Sequence, residues 1–216
     1  MIKIRAAMPN GNYDTLIIDN QYLPCVFYFK TLIKFKNVRI EQFEWYQKMS
    51  FRNRCFLAGP NGILSLSVPL EHGRNQKAFF KDVRICYKEN WSLRHWRSIH
   101  DAYRKSPFFE FYADDIKSFF NKPPIFLFDW NMQWIEWFCK QTGILASVKL
   151  TDEYLPRYPE NYTDLRDFIA PKNYIQFGKE LPLYKQVFED RNGFLPNLSI
   201  LDALFCEGPA VSYLLH

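Results

Sequence analysis

Three short stretches of the chain carry the residue types that do chemistry. Arg52-Asn53-Arg54 sets two guanidiniums two residues apart, and in an extended strand both would point to one side. Paired guanidiniums suit bidentate binding of a phosphate or carboxylate; the competing reading is a solvated strand face laced with salt bridges. Lys48 lies four residues earlier, and either it or Asn53 could stabilise an oxyanion or position an acceptor. His95 stands in WSLRHWRSIHDAYRK, residues 91–105. An imidazole titrates near neutral pH, so beside arginines it is a candidate general base; on an apolar face it reads equally as a hydrogen-bonded core histidine. Tyr22 follows the first apolar run, at the strand end where open α/β sheets take ligands.

Spacings of three and four sort residues 91–105 into three helical faces. Trp91, His95, Ser98, Ile99 and Ala102 make the expected core face. Arg94, Arg97, Asp101 and Arg104 make a second, three guanidiniums around one carboxylate, which adds Arg94 and Arg97 to the candidate substrate-binding residues. Trp96, His100 and Tyr103 make the third. Asp114-Asp115 and Asp152-Glu153 are adjacent pairs that face different ways and read as solvent-facing, not as an acid/base couple.

The elements that must position these groups can be read from hydrophobic period and breakers. Residues 15–18 (TLII) form a buried strand, Pro24 opens a helix through CVFYFKTLIKF, and VRIEQF alternates as a second strand, together a βαβ unit. RNRCFLA and ILSLSVPL flank Gly59-Pro60-Asn61-Gly62 and predict a hairpin. Residues 71–78 read as a loop and VRICY around Ile85 as a further strand. Helices are expected over 91–105, over FFEFYADDIKSFF up to Pro123-Pro124, and over 125–141 with Gly143 closing. ASVKL reads as a short strand and residues 155–182 as irregular. Ser199 caps a helix through ILDALF, and Gly208-Pro209 opens a last one. The expected fold class is therefore mixed α/β, a βαβ start plus a β-hairpin, with a helix-rich second half packed on the sheet in a single domain spanning residues 1–216.

The 216 residues are 48% hydrophobic and 24% charged, a globular balance that excludes disorder, collagen and coiled coil; 19% are aromatic. Phe and Trp concentrate in residues 108–138, which are expected in the core, with any exposed portion available as a homodimer contact. The net charge of +5 is uneven. Residues 45–105 hold 12 basic and 4 acidic side chains, and residues 106–216 hold 10 and 15. This suggests an anionic partner near the middle, or attraction between the halves. A balance of +5 is modest for a nucleic-acid binder, and none is expected as partner. Five scattered cysteines without CxxC or Cys/His metal spacing predict reduced thiols, no metal and a cytoplasmic setting. Lys3 and Arg5 precede no apolar run, and no stretch is long enough to span a bilayer. Walker, GxGxxG, GxSxG and HExxH motifs are absent, so the sequence names no cofactor.

Taken together, EWYQKMSFRNRCFL, NGILSLSVPL, ENWSLRHWRSIHDAYRKSPFFEFY and the C-terminal FLPNLSILDALFCEGP resemble the WbqC-like family, with LPCVFYFKTLI matching its strand-loop-helix opening. Asp19-Asn20 stands where many members carry Gln-Pro, and Phe27 where a Gly is frequent. The resemblance implies transferase work in surface polysaccharide (O-antigen type) synthesis, with glycine transfer to a sugar as the suggested activity. The expected substrate is then a small-molecule or lipid-linked sugar, with Arg52 and Arg54 holding a phosphate or carboxylate and His95 taking a proton from the acceptor. Two alternatives stand beside it. One is a nucleotide-binding enzyme, since the opening loosely resembles HIGH-type nucleotidyltransferases without their paired histidines. The other is a non-catalytic binding or scaffold protein.

Overall fold

The computed structural model describes residues 14–216; Lys3 and Arg5 lie outside the described residues. β1 (Thr15–Asp19), α1 (Val26–Leu32) and β2 (Asn37–Glu41) form the expected βαβ unit, the strands parallel and in register from Thr15 opposite Asn37 to Asp19 opposite Glu41. Leu16, Ile17 and Ile18 are all buried, so β1 is covered on both faces, as parallel sheets require. With β5 (Ser147–Leu150) and β6 (Tyr162–Asp164) the sheet has the order β5-β2-β1-β6, all parallel.

β3 (Arg54–Gly59) and β4 (Gly62–Ser67) pair antiparallel around Pro60-Asn61, with Gly62 at φ +104° to close the turn. The helix-rich half comprises α2 (Trp91–Tyr103), α3 (Phe109–Asn121), α4 (Leu127–Thr142), the short α5 (Tyr174–Phe177) and α6 (Glu189–Asn192), α7 (Ile200–Glu207) and α8 (Val211–Leu215). Asn90 caps α2, its side chain accepting from the Leu93 N–H, and Ser199 caps α7 through the Leu201 N–H. One buried apolar cluster runs from Leu16 to Leu215. Trp130 and Trp134 of α4 are its centre, packed against Trp91, Phe120 and Phe138, as the aromatic density of residues 108–138 predicted.

Four expectations change. VRICY is not a strand: Ile85 and Arg84 make isolated bridges to Leu70 and Phe126, because successive short crossings leave no room for a ladder. Residues 155–182 are not wholly irregular. They supply β6, three residues that pair with the buried central strand where prolines on either side hide the period, and α5. Helix α1 starts two residues after Pro24 and ends at Leu32. Tyr103, expected on the aromatic face of α2, is completely buried. Its hydroxyl accepts from the Ala58 N–H at 2.8 Å and donates to the buried Asp202 at 2.6 Å, tying hairpin, α2 and α7 together.

The turn from α7 into α8 depends on Gly208. Its φ is +57°, and a Cβ there would lie 2.4 Å from the Phe108 ring. Gly208→Ala is expected to cost about 2 kcal/mol or more, from left-handed strain plus a clash in a packed core. Chemical denaturation measures this, and a change within about 0.5 kcal/mol would contradict it.

Candidate active site

Each of three parallel strands ends in an acid: Asp19 on β1, Glu41 on β2 and Asp164 on β6. Because the strands are parallel and in register, these carboxylates gather at one edge of the sheet, beside the point where the chain's order reverses about β1. Beyond that edge lies a cleft of about 370 Å³ lined by Glu44, Trp45, Gln47, Tyr154, Asp164, Arg166 and Asp167.

Its floor is an ion-pair cluster. The Arg52 side chain is completely buried, donating from Nε (3.2 Å) and Nη2 (2.5 Å) to Glu44 Oε1 and from Nη1 (2.9 Å) to Asp167 Oδ1. Asp19 is buried too; Oδ1 accepts from the Asp167 N–H at 3.3 Å and Oδ2 from Gln21 Nε2 at 3.0 Å. Asp167 holds a φ of +55°, a conformation Asp tolerates better than most residues. Burial works against the charge on Arg52, but Asp19, Glu44 and Asp167 outweigh it and hold the guanidinium above its ordinary value. Burial likewise raises Asp19. It lifts Glu44 to about 7, with Asp19 and Asp167 adding to the rise and Arg52 opposing it. A carboxyl poised near neutral pH at the wall of a cleft has the properties of a general acid or base.

A second cluster closes the cleft. Arg166 grips Asp164 through Nε (2.9 Å) and Nη2 (2.6 Å), reaches Glu41 at 3.4 Å, and lies against the rings of Tyr154 and Tyr158 at 5.2 and 4.9 Å. Among the described residues no three His, Cys, Asp or Glu side chains are arranged to hold a metal ion.

The residues singled out in the sequence fall into four groups. Arg52 belongs to the site but sits ahead of β3, turned inward onto carboxylates. Arg54 starts the strand, half-buried, and both arginines act on the Tyr46 hydroxyl, Arg52 with its side chain committed to carboxylates. Lys48 lines a neighbouring polar hollow of about 380 Å³ with Tyr46, Gln47, Asn75 and Gln76, and Asn53 accepts from the Tyr46 hydroxyl at 3.1 Å. Gln47 is common to this hollow and the cleft, so the two adjoin.

Tyr22 and His95 meet in the core, hydroxyl to Nδ1 at 3.0 Å, among Trp91, Phe120 and Trp130, and neither lines the cleft. Burial lowers His95 to about 4, against the hydrogen bond to the Ser67 backbone, which keeps the ring neutral at pH 7. Arg94 and Arg97 are exposed on α2, Arg94 paired with Glu89 at 2.5 Å.

Asp19, Glu44, Asp164, Arg166 and Asp167 were not singled out as site residues. A carboxylate directly after an apolar strand run, as at Asp19 and Glu41, is the signal that finds the sheet edge. The partners at 164–167 arrive from about 125 residues downstream.

The fold is mixed α/β, a parallel four-stranded sheet with a hairpin and a helix-rich half, and it has a cleft at the carboxyl ends of its strands. The chain belongs to the WbqC-like protein family, whose model matches residues 20–159. That span holds α1, β2 to β5 and the segment carrying Glu44, Arg52 and Tyr154; β1 with Asp19 precedes it, and the residues 164–167 that complete the cleft follow it. Comparison with curated proteins and with solved structures gave no match. No helix among the described residues is long and apolar enough to cross a membrane.

The neutral, buried His95 sets a pH dependence. Its folded value of about 4 lies below the ordinary 6.5, so between them the unfolded state binds more protons and stability rises with pH. This contribution is complete above about pH 6.5, is lost as pH falls toward 4, and amounts to about 3 kcal/mol. Urea unfolding of the wild type and His95→Gln over this range should show the rise reduced by that amount in the variant. Parallel stability curves would contradict it.

Proposed function

We propose that the chain is a transferase of surface polysaccharide synthesis that attaches an aminoacyl group, glycine being the suggested one, to a sugar acceptor in the cytoplasm. Family membership supports the polysaccharide setting. The observation that carries the chemistry is Glu44: a carboxyl raised to about 7 by burial, at the wall of a cleft beyond the carboxyl ends of parallel strands. Five unpaired cysteines, four of them buried, support the cytoplasmic setting.

In this reading the acceptor's amine or hydroxyl attacks the acyl carbon, the new C–N or C–O bond forms, and the donor's leaving group departs with its electron pair. Glu44, ionised in a fraction of molecules near neutral pH, takes the acceptor's proton. Arg52 stabilises the carboxylate form and sets its angle by two hydrogen bonds to one oxygen. Asp167 and Asp164 accept hydrogen bonds from sugar hydroxyls. Lys48, with Gln47, Asn75 and Gln76 in the adjoining hollow and Asn53 and Arg54 behind Tyr46, offers the donor's anionic portion a place away from the carboxylates. Phosphate or carboxylate binding thus passes from the Arg52–Arg54 pair to the Lys48 side, because the donors of Arg52 are already engaged. His95, Tyr22, Arg94 and Arg97 act at a distance from the acceptor, His95 and Tyr22 by fixing the segment after β1.

The test is transfer of labelled glycine from glycyl-tRNA, glycyl adenylate or a glycyl thioester to glucosamine, read by mass spectrometry. Product is expected from at least one donor, with Glu44→Gln lowering turnover about 10²–10⁴-fold. No product from any donor, or full turnover in Glu44→Gln, would overturn the reading and favour a binding protein whose ion-pair cluster is purely structural.

A further inference from the structure

The segment at residues 43–46 pairs briefly with residues 78–80: Trp45 bridges Phe79, the Tyr46 N–H donates to the Ala78 carbonyl, and the Phe80 N–H donates to that of Glu44. Alternation about this antiparallel bridge then sends neighbours opposite ways. Glu44, Tyr46 and Phe80 point inward, while Trp45 and Phe79 point out, 54% and 41% exposed. The two outward rings stack with centroids 4.5 Å apart and planes at 20°. The device that turns Glu44 into the cluster therefore also builds an aromatic shelf on the surface. That shelf, with Phe43, Tyr154, Asp152 and Glu153, bounds a hollow of about 440 Å³ that shares Trp45 and Tyr154 with the cleft.

We propose that this shelf is the acceptor subsite, and that it takes an amino sugar, a pyranose ring carrying a protonated amine. The inference deepens the transferase reading by naming its acceptor. A flat, exposed indole–phenyl pair matches the C–H face of a pyranose, which is apolar on one side and hydroxylated round its edge. The rim supplies the complement to that edge. Asp152 is 94% exposed with Arg39 no nearer than 3.9 Å, and Glu153 forms no hydrogen bond or ion pair among the described residues.

The charged groups around the shelf favour a cation. Lys81 sits over the Phe43 ring at 4.5 Å, and Arg166 lies against Tyr154 but is engaged by Asp164 and Glu41. Arg39 stands 3.9 Å from Asp152, and Arg52 is spent on Glu44 and Asp167 in the adjoining cleft, whereas the charged side chains that line the hollow itself are two carboxylates, Asp152 and Glu153. A phosphate or nucleotide would meet this excess of carboxylates and be repelled, whereas an ammonium would be drawn in. An amine carried toward Glu44 would meet a carboxyl able to relieve it of its proton at neutral pH.

Binding can be measured without turnover, so this proposal and the transferase reading can fail separately. The probe is the β1,4-linked glucosamine disaccharide, followed by the indole N–H resonance of Trp45, which is assigned by its loss in Trp45→Phe. A saturable shift is expected, together with at least tenfold weaker binding of the N-acetylated disaccharide and no shift with glucose 1-phosphate. Trp45→Ala should abolish binding with the circular dichroism unchanged, and Asp152→Asn with Glu153→Gln should weaken it about tenfold.

No saturable shift, equal binding of the N-acetylated disaccharide, or full affinity in the doubly neutralised variant would overturn the proposal. Trp45-dependent binding without glycyl transfer would uphold the subsite and remove the transferase reading. Glycyl transfer to glucosamine that survives Trp45→Ala would do the reverse.

Discussion

A guanidinium sealed from water is the constraint from which the site follows. Isolated in an apolar interior, the charge on Arg52 would cost far more than the fold's whole stability, so carboxylates must come to it. Those that do come from separate parts of the chain: Glu44 from the segment after β2, Asp167 from the loop after β6, and Asp19 from the end of β1. Three carboxylates around one arginine also leave an excess of negative charge. Burial resolves part of that excess by raising Glu44 and Asp19, which places a proton at the cleft wall near neutral pH. The arrangement that satisfies Arg52 thus produces a group able to move protons.

The same segment connects burial to recognition. Trp45 is bridged to Phe79, and its neighbours Glu44 and Tyr46 are hydrogen-bonded to Phe80 and Ala78, so one short run of backbone fixes both a buried carboxyl and an exposed indole. Preorganisation of this kind matters more than the strength of any single contact, since positioning of acceptor and base supplies much of a transferase's acceleration. Behind it the core is dense with aromatic rings. Trp130 stacks near Tyr22, and Tyr22 bonds His95, so the loop leaving β1 is held from beneath while Asp19 is held from above.

Local signals were strong and carried most of the architecture. The TLII run, Pro24, the alternation of VRIEQF, the Gly59–Gly62 turn and the Ser199 cap each predict an element that the structure contains, because each rests on interactions within a few residues. β6 was hidden because its three residues owe their strand conformation to pairing with β1, not to their own period. The site was less legible for the same reason. Arg52 was visible as a residue of consequence, but its partners Glu44 and Asp167 lie 8 and 115 residues away, and only the latter separation needs the whole sheet to close it. His95 fell on the core face expected of it, where desolvation keeps it neutral and the Tyr22 hydroxyl meets its ring.

Proton transfer at the cleft requires that Glu44 titrate near neutrality. Carbon-13 NMR of the side-chain carboxyls, with Glu44 assigned by its absence in Glu44→Gln, measures this directly. A carboxyl resonance that titrates with a midpoint near 7 is expected. A midpoint in the ordinary glutamate range, about 4.3, would mean that Arg52 fully ionises Glu44 and that the cluster is a structural ion pair.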